Sequence, residues 1–100
     1  MCVMTGAEVI VQKNDITTKG KTFRVICQVQ GEKFVGWFNK DGTKISSQNE
    51  FDKFHYRYQG RNEYMLVVKN VVVPDGGIYQ CRGNNTVKNF TLYVECKYPD

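Results

Sequence analysis

Apolar and polar positions alternate with a period of two along most of this chain, and Gly, Asn and Asp bound the alternating runs. That period sends successive side chains to opposite faces, so each run reads as a strand with one face turned inward. Glu8 to Gln12 reads as a first edge strand. In Thr22 to Val29, entered through a Lys19-Gly20 turn, Phe23, Val25, Cys27 and Val29 share one face. Arg24, Ile26 and Gln28 share the other. Gly31-Glu32 turns the chain into Phe34 to Asn39, where alternation puts Val35 and Trp37 on one side and Phe34, Gly36 and Phe38 on the other. Asp41-Gly42 is a tight-turn pair before a short strand at Lys44-Ile45. Lys53 to Tyr58 alternates again, with Phe54, Tyr56 and Tyr58 opposed to His55 and Arg57. Tyr64 to Val68 follows, with Leu66 and Val68 inward. After a corner at Pro74-Asp75-Gly76-Gly77, Ile78 to Arg82 turns Tyr79 and Cys81 inward. Beyond the Gly83-Asn84-Asn85 loop, Phe90, Leu92 and Val94 form the apolar face of a last strand. No stretch keeps a helical period of 3.6, so the chain reads as all-β with about eight short strands.

Composition narrows this picture. One hundred residues give one domain and one core. A hydrophobic content of 41% is that of a globular chain, not a disordered one. No apolar run approaches bilayer length, so nothing in this sequence inserts directly into a membrane. The net charge of +4 is spread from Lys13 to Lys97 without a basic stripe or a nucleic-acid motif. Cys2, Cys27, Cys81 and Cys96 lack the C-x-x-C spacing of a zinc or redox site, so no metal or cofactor is expected. Widely spaced cysteines in a small β-rich chain fit a disulfide scaffold made in an oxidising compartment. The sequons Asn84-Asn85-Thr86 and Asn89-Phe90-Thr91 point the same way, making Asn84 and Asn89 candidate glycosylation sites in a secreted or cell-surface protein.

One constellation defines the fold. Cys27 and Cys81 lie on inward strand faces roughly fifty residues apart, with Trp37 about ten residues after the first. Cysteines on facing sheets can bridge the gap at sandwich spacing, with the indole against the sulfurs. Asp75-Gly76-Gly77-Ile78-Tyr79-Gln80-Cys81 carries the D-x-G-x-Y-x-C pattern, in which a tyrosine two positions before the cysteine hydrogen-bonds back to upstream backbone. Gly77 suits a turn that a side chain would crowd. Asp75 needs a cationic partner, and Lys53 is the candidate.

With these residues the chain resembles the intermediate (I-set) immunoglobulin superfamily from Glu8 to Cys96. The resemblance implies an immunoglobulin-like β-sandwich of two antiparallel sheets with Greek-key connections, pinned between Cys27 and Cys81. Cys27-Gln28-Val29-Gln30-Gly31-Glu32 and Gly36-Trp37-Phe38-Asn39-Lys40-Asp41-Gly42-Thr43-Lys44 look like the first domain of neural cell adhesion molecules and their fasciclin-type relatives. They are also similar to secreted nematode proteins of two such domains and to I-set modules of receptor kinases. Residues 1–7 are then a signal remnant or expression remnant, 8–96 the domain, and 97–100 a linker into a further domain. Cys2 and Cys96 depart from the family pattern. Either they pair by the N-terminal tail folding back along the sandwich, or Cys96 pairs beyond this domain or stays free.

The resemblance implies an extracellular domain of a cell-adhesion or neuronal recognition protein, binding another immunoglobulin-type domain or a second copy of itself. The alternatives are a receptor-kinase module for a growth factor or heparan sulfate, and a structural module of an intracellular muscle protein. Catalysis has no support. Ser46 and Ser47 lack a nucleophile elbow, and the lone histidine, His55, reads as an exposed strand residue. Two faces are candidate interfaces. On the Trp37 sheet, Phe34 and Phe38 point outward with Gln80, Arg82, Asn89, Thr91 and Tyr93, an aromatic-plus-arginine composition typical of interface anchors. The plainer alternative has Phe34 and Phe38 half covered and merely shielding the core. On the other sheet, Ile26, Met65 and Val67 form an apolar centre ringed by Arg24, Arg57 and Lys69.

Overall fold

The computed structural model describes residues 17–18 and 21–95. The tail at 1–7, the Glu8 to Gln12 strand, the Lys19-Gly20 turn, Cys2, Cys96 and the 97–100 linker lie outside the described residues.

The described chain forms nine strand segments: β1 (Thr17–Thr18), β2 (Phe23–Gln28), β3 (Phe34–Phe38), β4 (Lys44–Ile45), β5 (Phe54–Tyr58), β6 (Glu63–Val68), β7 (Gly77–Gly83), β8 (Val87–Leu92) and β9 (Val94–Glu95). A three-stranded antiparallel sheet in the order β2-β6-β5 faces a four-stranded one in the order β4-β3-β7-β8. The expected last strand is interrupted at Tyr93, and its continuation β9 pairs in parallel with β1, so that Thr17 lies opposite Val94. A 3-10 turn at Val73–Asp75 carries the chain to β7.

The buried faces of the two sheets form one core. It runs through Phe23, Val25 and Cys27 of β2, Trp37 of β3, Leu66 and Val68 of β6, Tyr79 and Cys81 of β7, and Phe90 and Leu92 of β8. The Cys27–Cys81 disulfide joins the sheets at a Cα–Cα separation of 6.5 Å. Trp37 is fully buried, donates its indole N–H to the Tyr64 carbonyl at 3.3 Å and tilts against Phe90. The hydrogen bond satisfies the one polar atom of an otherwise apolar side chain, so its burial carries no unpaired donor.

The corner before β7 is held by hydrogen bonds that converge on Asp75. The Tyr79 hydroxyl donates to the Asp75 carbonyl at 2.5 Å. The Asp75 carboxylate accepts from the Val72 N–H at 2.8 Å and meets Lys53 Nζ at 2.9 Å. Lys53 also donates to the carbonyls of Lys69 and Asn70, tying the start of β5 to the end of β6. Gly77 is required where it stands: its φ is +144°, and an added Cβ would lie 2.8 Å from Lys40 Cδ. The Lys40 stem crosses that spot so that its ammonium caps the carbonyls of Pro74 and Gly76.

Strand β3 differs from simple alternation. Phe34 pairs with Gly83 and Gly36 with Arg82, so one extra residue, Val35, is accommodated in β3. A bulge of one residue reverses the facing of everything beyond it. Val35 is therefore exposed, whereas Phe34 turns inward and stacks on Tyr64 with ring centroids 3.8 Å apart. The expected outward placement of Phe34 and inward placement of Val35 are both reversed for this reason.

Candidate functional site

The outer face of the four-stranded sheet is built by parity. With Trp37, Tyr79, Cys81, Phe90 and Leu92 inward, the strands present Gly36 and Phe38 of β3, Ile78, Gln80 and Arg82 of β7, and Val87, Asn89 and Thr91 of β8 to the outside. Register places Phe38 beside Gln80, and Gln80 beside Asn89. The Arg82 guanidinium lies over the Phe38 ring, 3.9 Å from its centroid. It is held there by two hydrogen bonds from Nε and Nη2 to the Gln80 side-chain oxygen, at 3.0 and 2.7 Å. Gln80 in turn donates to Asn89 Oδ1 at 3.0 Å. Four side chains from three strands thus form one braced row. The arginine is immobilised before any partner arrives, which lowers the entropy lost on binding.

Around this row the surface is partly apolar. Ile78 is 49% exposed, and Val87 and Tyr93 are also exposed. Ile78 sits beside a cleft lined by Asn39, Lys40, Gly42 and Gln80. Sequence reasoning left Ile78 out of this face, although parity with inward Tyr79 was the signal that places it there. Gly36 leaves room for the Lys44 stem, whose Cε would lie 2.8 Å from an added Cβ. The face therefore combines the Arg82 and Lys44 cations, one half-buried aromatic ring and one amide ladder beside the Lys40 cleft.

The opposite sheet does not offer the expected apolar patch. Met65 is only 9% exposed and Val67 only 5%, leaving Ile26 at 39%. Met65 and Val67 lie on the central strand, with Arg24 and Ile26 on one flank and His55 and Arg57 on the other. They floor a cavity of about 250 Å³ walled by Thr22, Arg24, Glu50, Arg57 and Lys69. Long cationic side chains cover apolar floor in this way because their stems are hydrocarbon and only their heads need water. The surface is consequently a charged rim over a closed floor.

His55 belongs to that same floor and is 5% exposed, which corrects its expected exposure. Its Nδ1 lies 2.8 Å from the Asp52 carbonyl oxygen, while Ser47 donates its hydroxyl to the Asp52 carboxylate at 2.6 Å. No hydrogen bond joins Ser47 to His55. The Ser47 oxygen also accepts from the Asn49 N–H, so these groups brace the 46–52 loop and do not compose a nucleophile and base. Among the described residues, no three His, Cys, Asp or Glu side chains are grouped to hold a metal, and no helix is long and apolar enough to cross a membrane.

A further feature escaped sequence reasoning. Glu32, in the turn before β3, accepts from the Asn85 N–H at 2.6 Å and from the Thr86 hydroxyl at 2.8 Å. These bonds, the Asn85 N–H first, hold its carboxyl below the ordinary carboxylate range. The clasp fixes the β7–β8 loop, which carries Asn84, at one end of the braced face.

Two sheets pinned by a disulfide across a buried tryptophan, with a tyrosine-locked corner, define an immunoglobulin-type sandwich, a fold that typically hosts binding surfaces. The immunoglobulin I-set domain model matches residues 8–97, and the chain belongs to that family. The chain is 33% identical over 82 residues to the myoblast growth factor receptor egl-15 of Caenorhabditis elegans, a match covering 75% of the chain and 8% of the receptor. Among solved structures it resembles the first immunoglobulin domain of ZIG-8, crystallised as a homodimer, with a TM-score of 0.70 and 20% identity over 81% of the chain and 77% of that one. It also resembles a chain in the complex of Dpr2 Ig1-Ig2 with DIP-Theta Ig1-Ig3, with a TM-score of 0.68 and 27% identity over 84% of this chain and 43% of that one.

Proposed function

We propose that this domain is an extracellular recognition module of a cell-adhesion or neuronal recognition protein. It binds a second immunoglobulin-type domain through the outer face of the β4-β3-β7-β8 sheet. The observation that carries this reading is the Phe38–Arg82–Gln80–Asn89 row, an arginine stacked on an aromatic ring and locked by side-chain hydrogen bonds beside exposed Ile78. Arginine and aromatic residues in a rigid central patch are the composition of binding hot spots. The similarity to a chain crystallised in an immunoglobulin–immunoglobulin complex supports the partner class.

A second copy of this domain is the first partner to test. Sedimentation of the unglycosylated protein across a concentration series should show association that Arg82→Glu weakens at least tenfold, while Ile26→Asp on the other sheet leaves it unchanged. Equal weakening by both variants would remove the assignment to this face. A monomer at every concentration would remove homophilic binding by this domain.

The similarity to a growth factor receptor favours a second reading, a ligand-binding module whose Arg24, Arg57 and Lys69 rim meets an anionic ligand. Retention on heparin that falls steeply with salt, lost in an Arg24→Gln/Arg57→Gln variant, would support it over the first.

A further inference from the structure

The proposed binding face carries a glycosylation sequon within its braced row, and this bears on how the face is used. Asn89 is exposed on β8, paired with Gln80 in the braced row. Its Oδ1 accepts the Gln80 bond, and its Nδ2 makes no hydrogen bond to a described residue. The nitrogen that would carry a sugar is thus free without breaking the row. Phe90 of the sequon is in the core, and Thr91 stands on the same outer face, opposite Ile78. A branched sugar rooted at Asn89 projects over Gln80, Arg82 and Phe38.

Asn84 differs: it lies in the loop fixed by the Glu32 clasp, beyond the end of β7 and outside the braced row.

We infer that Asn89 carries an N-linked glycan and that its occupancy gates this face: the unmodified domain binds, and the glycosylated domain does not. The inference rests on the reading of the face given above. The test uses protein secreted from a glycosylating eukaryotic host, its Thr91→Val and Asn84→Gln variants, and unglycosylated protein from a bacterial host. Thr91→Val destroys the sequon while keeping Asn89 and a β-branched side chain. Peptide mapping by mass spectrometry should find glycan on Asn89 in the wild type and none in Thr91→Val. Sedimentation should then give a monomeric wild type and Asn84→Gln variant. Thr91→Val and the bacterial protein should associate at concentrations at least tenfold lower.

A bare Asn89 in the secreted protein overturns the inference. So does equal association of glycosylated and unglycosylated forms, with the binding face left standing. If no form associates, the self-binding reading fails and the gate with it. Loss of association in Thr91→Val but not in the bacterial protein would also overturn the gate.

Discussion

At the scale of single residues, the corner around Asp75 explains more of the stability than its size suggests. Burial, with the negative charge of Asp75 adding to it, pushes the Tyr79 hydroxyl above the ordinary tyrosine range. A folded-state value raised above that of the unfolded chain means the contribution is full below about pH 10. It is then lost as pH rises further, because the unfolded chain releases the proton more readily. Tyr79→Phe should cost about 1–2 kcal/mol at neutral pH for the lost bond to the Asp75 carbonyl. It should also flatten the decline of stability above about pH 10, measured by urea denaturation at each pH. Parallel declines in both proteins would show that another group governs alkaline unfolding. Glu32 works in the opposite direction. Its lowered value contributes stability present above the unfolded pKa, near pH 4, and lost as pH falls through the folded value. Amide protection factors in residues 84–86 should fall in acid before those of the core strands do, and Glu32→Gln should show the same reduced protection at neutral pH.

At the scale of elements, the bulge in β3 separates what alternation can and cannot reveal. The Cys27, Tyr79 and Cys81 positions were legible because their stretches of strand keep strict alternation, Trp37 because it lies beyond the irregular Phe34–Gly36 stretch of β3, and Lys53 as a cation at the start of its strand available to Asp75. Phe34 was not, because the extra residue at Val35 exists only in the pairing of β3 with β7 and leaves no mark on β3 itself. Met65, Val67 and His55 were misjudged for another reason. They lie on the floor of a cavity whose walls include Thr22, Arg24, Glu50 and Arg57 from other segments of the chain, and a one-strand pattern does not register cover from across the sheet. The correction has an energetic consequence. Phe34 now belongs to an aromatic cluster with Tyr56 and Tyr64, so Phe34→Ala should cost about 3 kcal/mol, as truncation of a packed aromatic does. Val35→Thr, on the exposed bulge, should stay within about 0.5 kcal/mol of wild type. Chemical denaturation of both variants checks the assignment, and comparable losses would place Val35 in the core instead.

At the scale of the whole molecule, the disulfide decides how independent this domain is of its surroundings. It spans a sequence separation of 54 residues and closes a loop holding most of both sheets. The loop-entropy relation gives about 4 kcal/mol for a closure of that length, before any change in native packing. Small domains have only about 5–15 kcal/mol in total, so the bond supplies a large share. The apolar core, which draws Phe23 and Leu66 from one sheet and Trp37 and Leu92 from the other, is the remainder. A Cys27→Val/Cys81→Ala variant, which keeps nearly the same buried volume, should therefore still fold. Its midpoint in thermal unfolding should fall by about 8–32 °C, from a loss of about 2–4 kcal/mol at 4–8 °C per kcal/mol. Near-ultraviolet circular dichroism of Trp37 would report whether its packing survives. A variant that retains the tryptophan signal but melts early assigns the bond to stability alone. One that loses the signal at every temperature would show that the sulfurs also hold the two sheets in register around the indole.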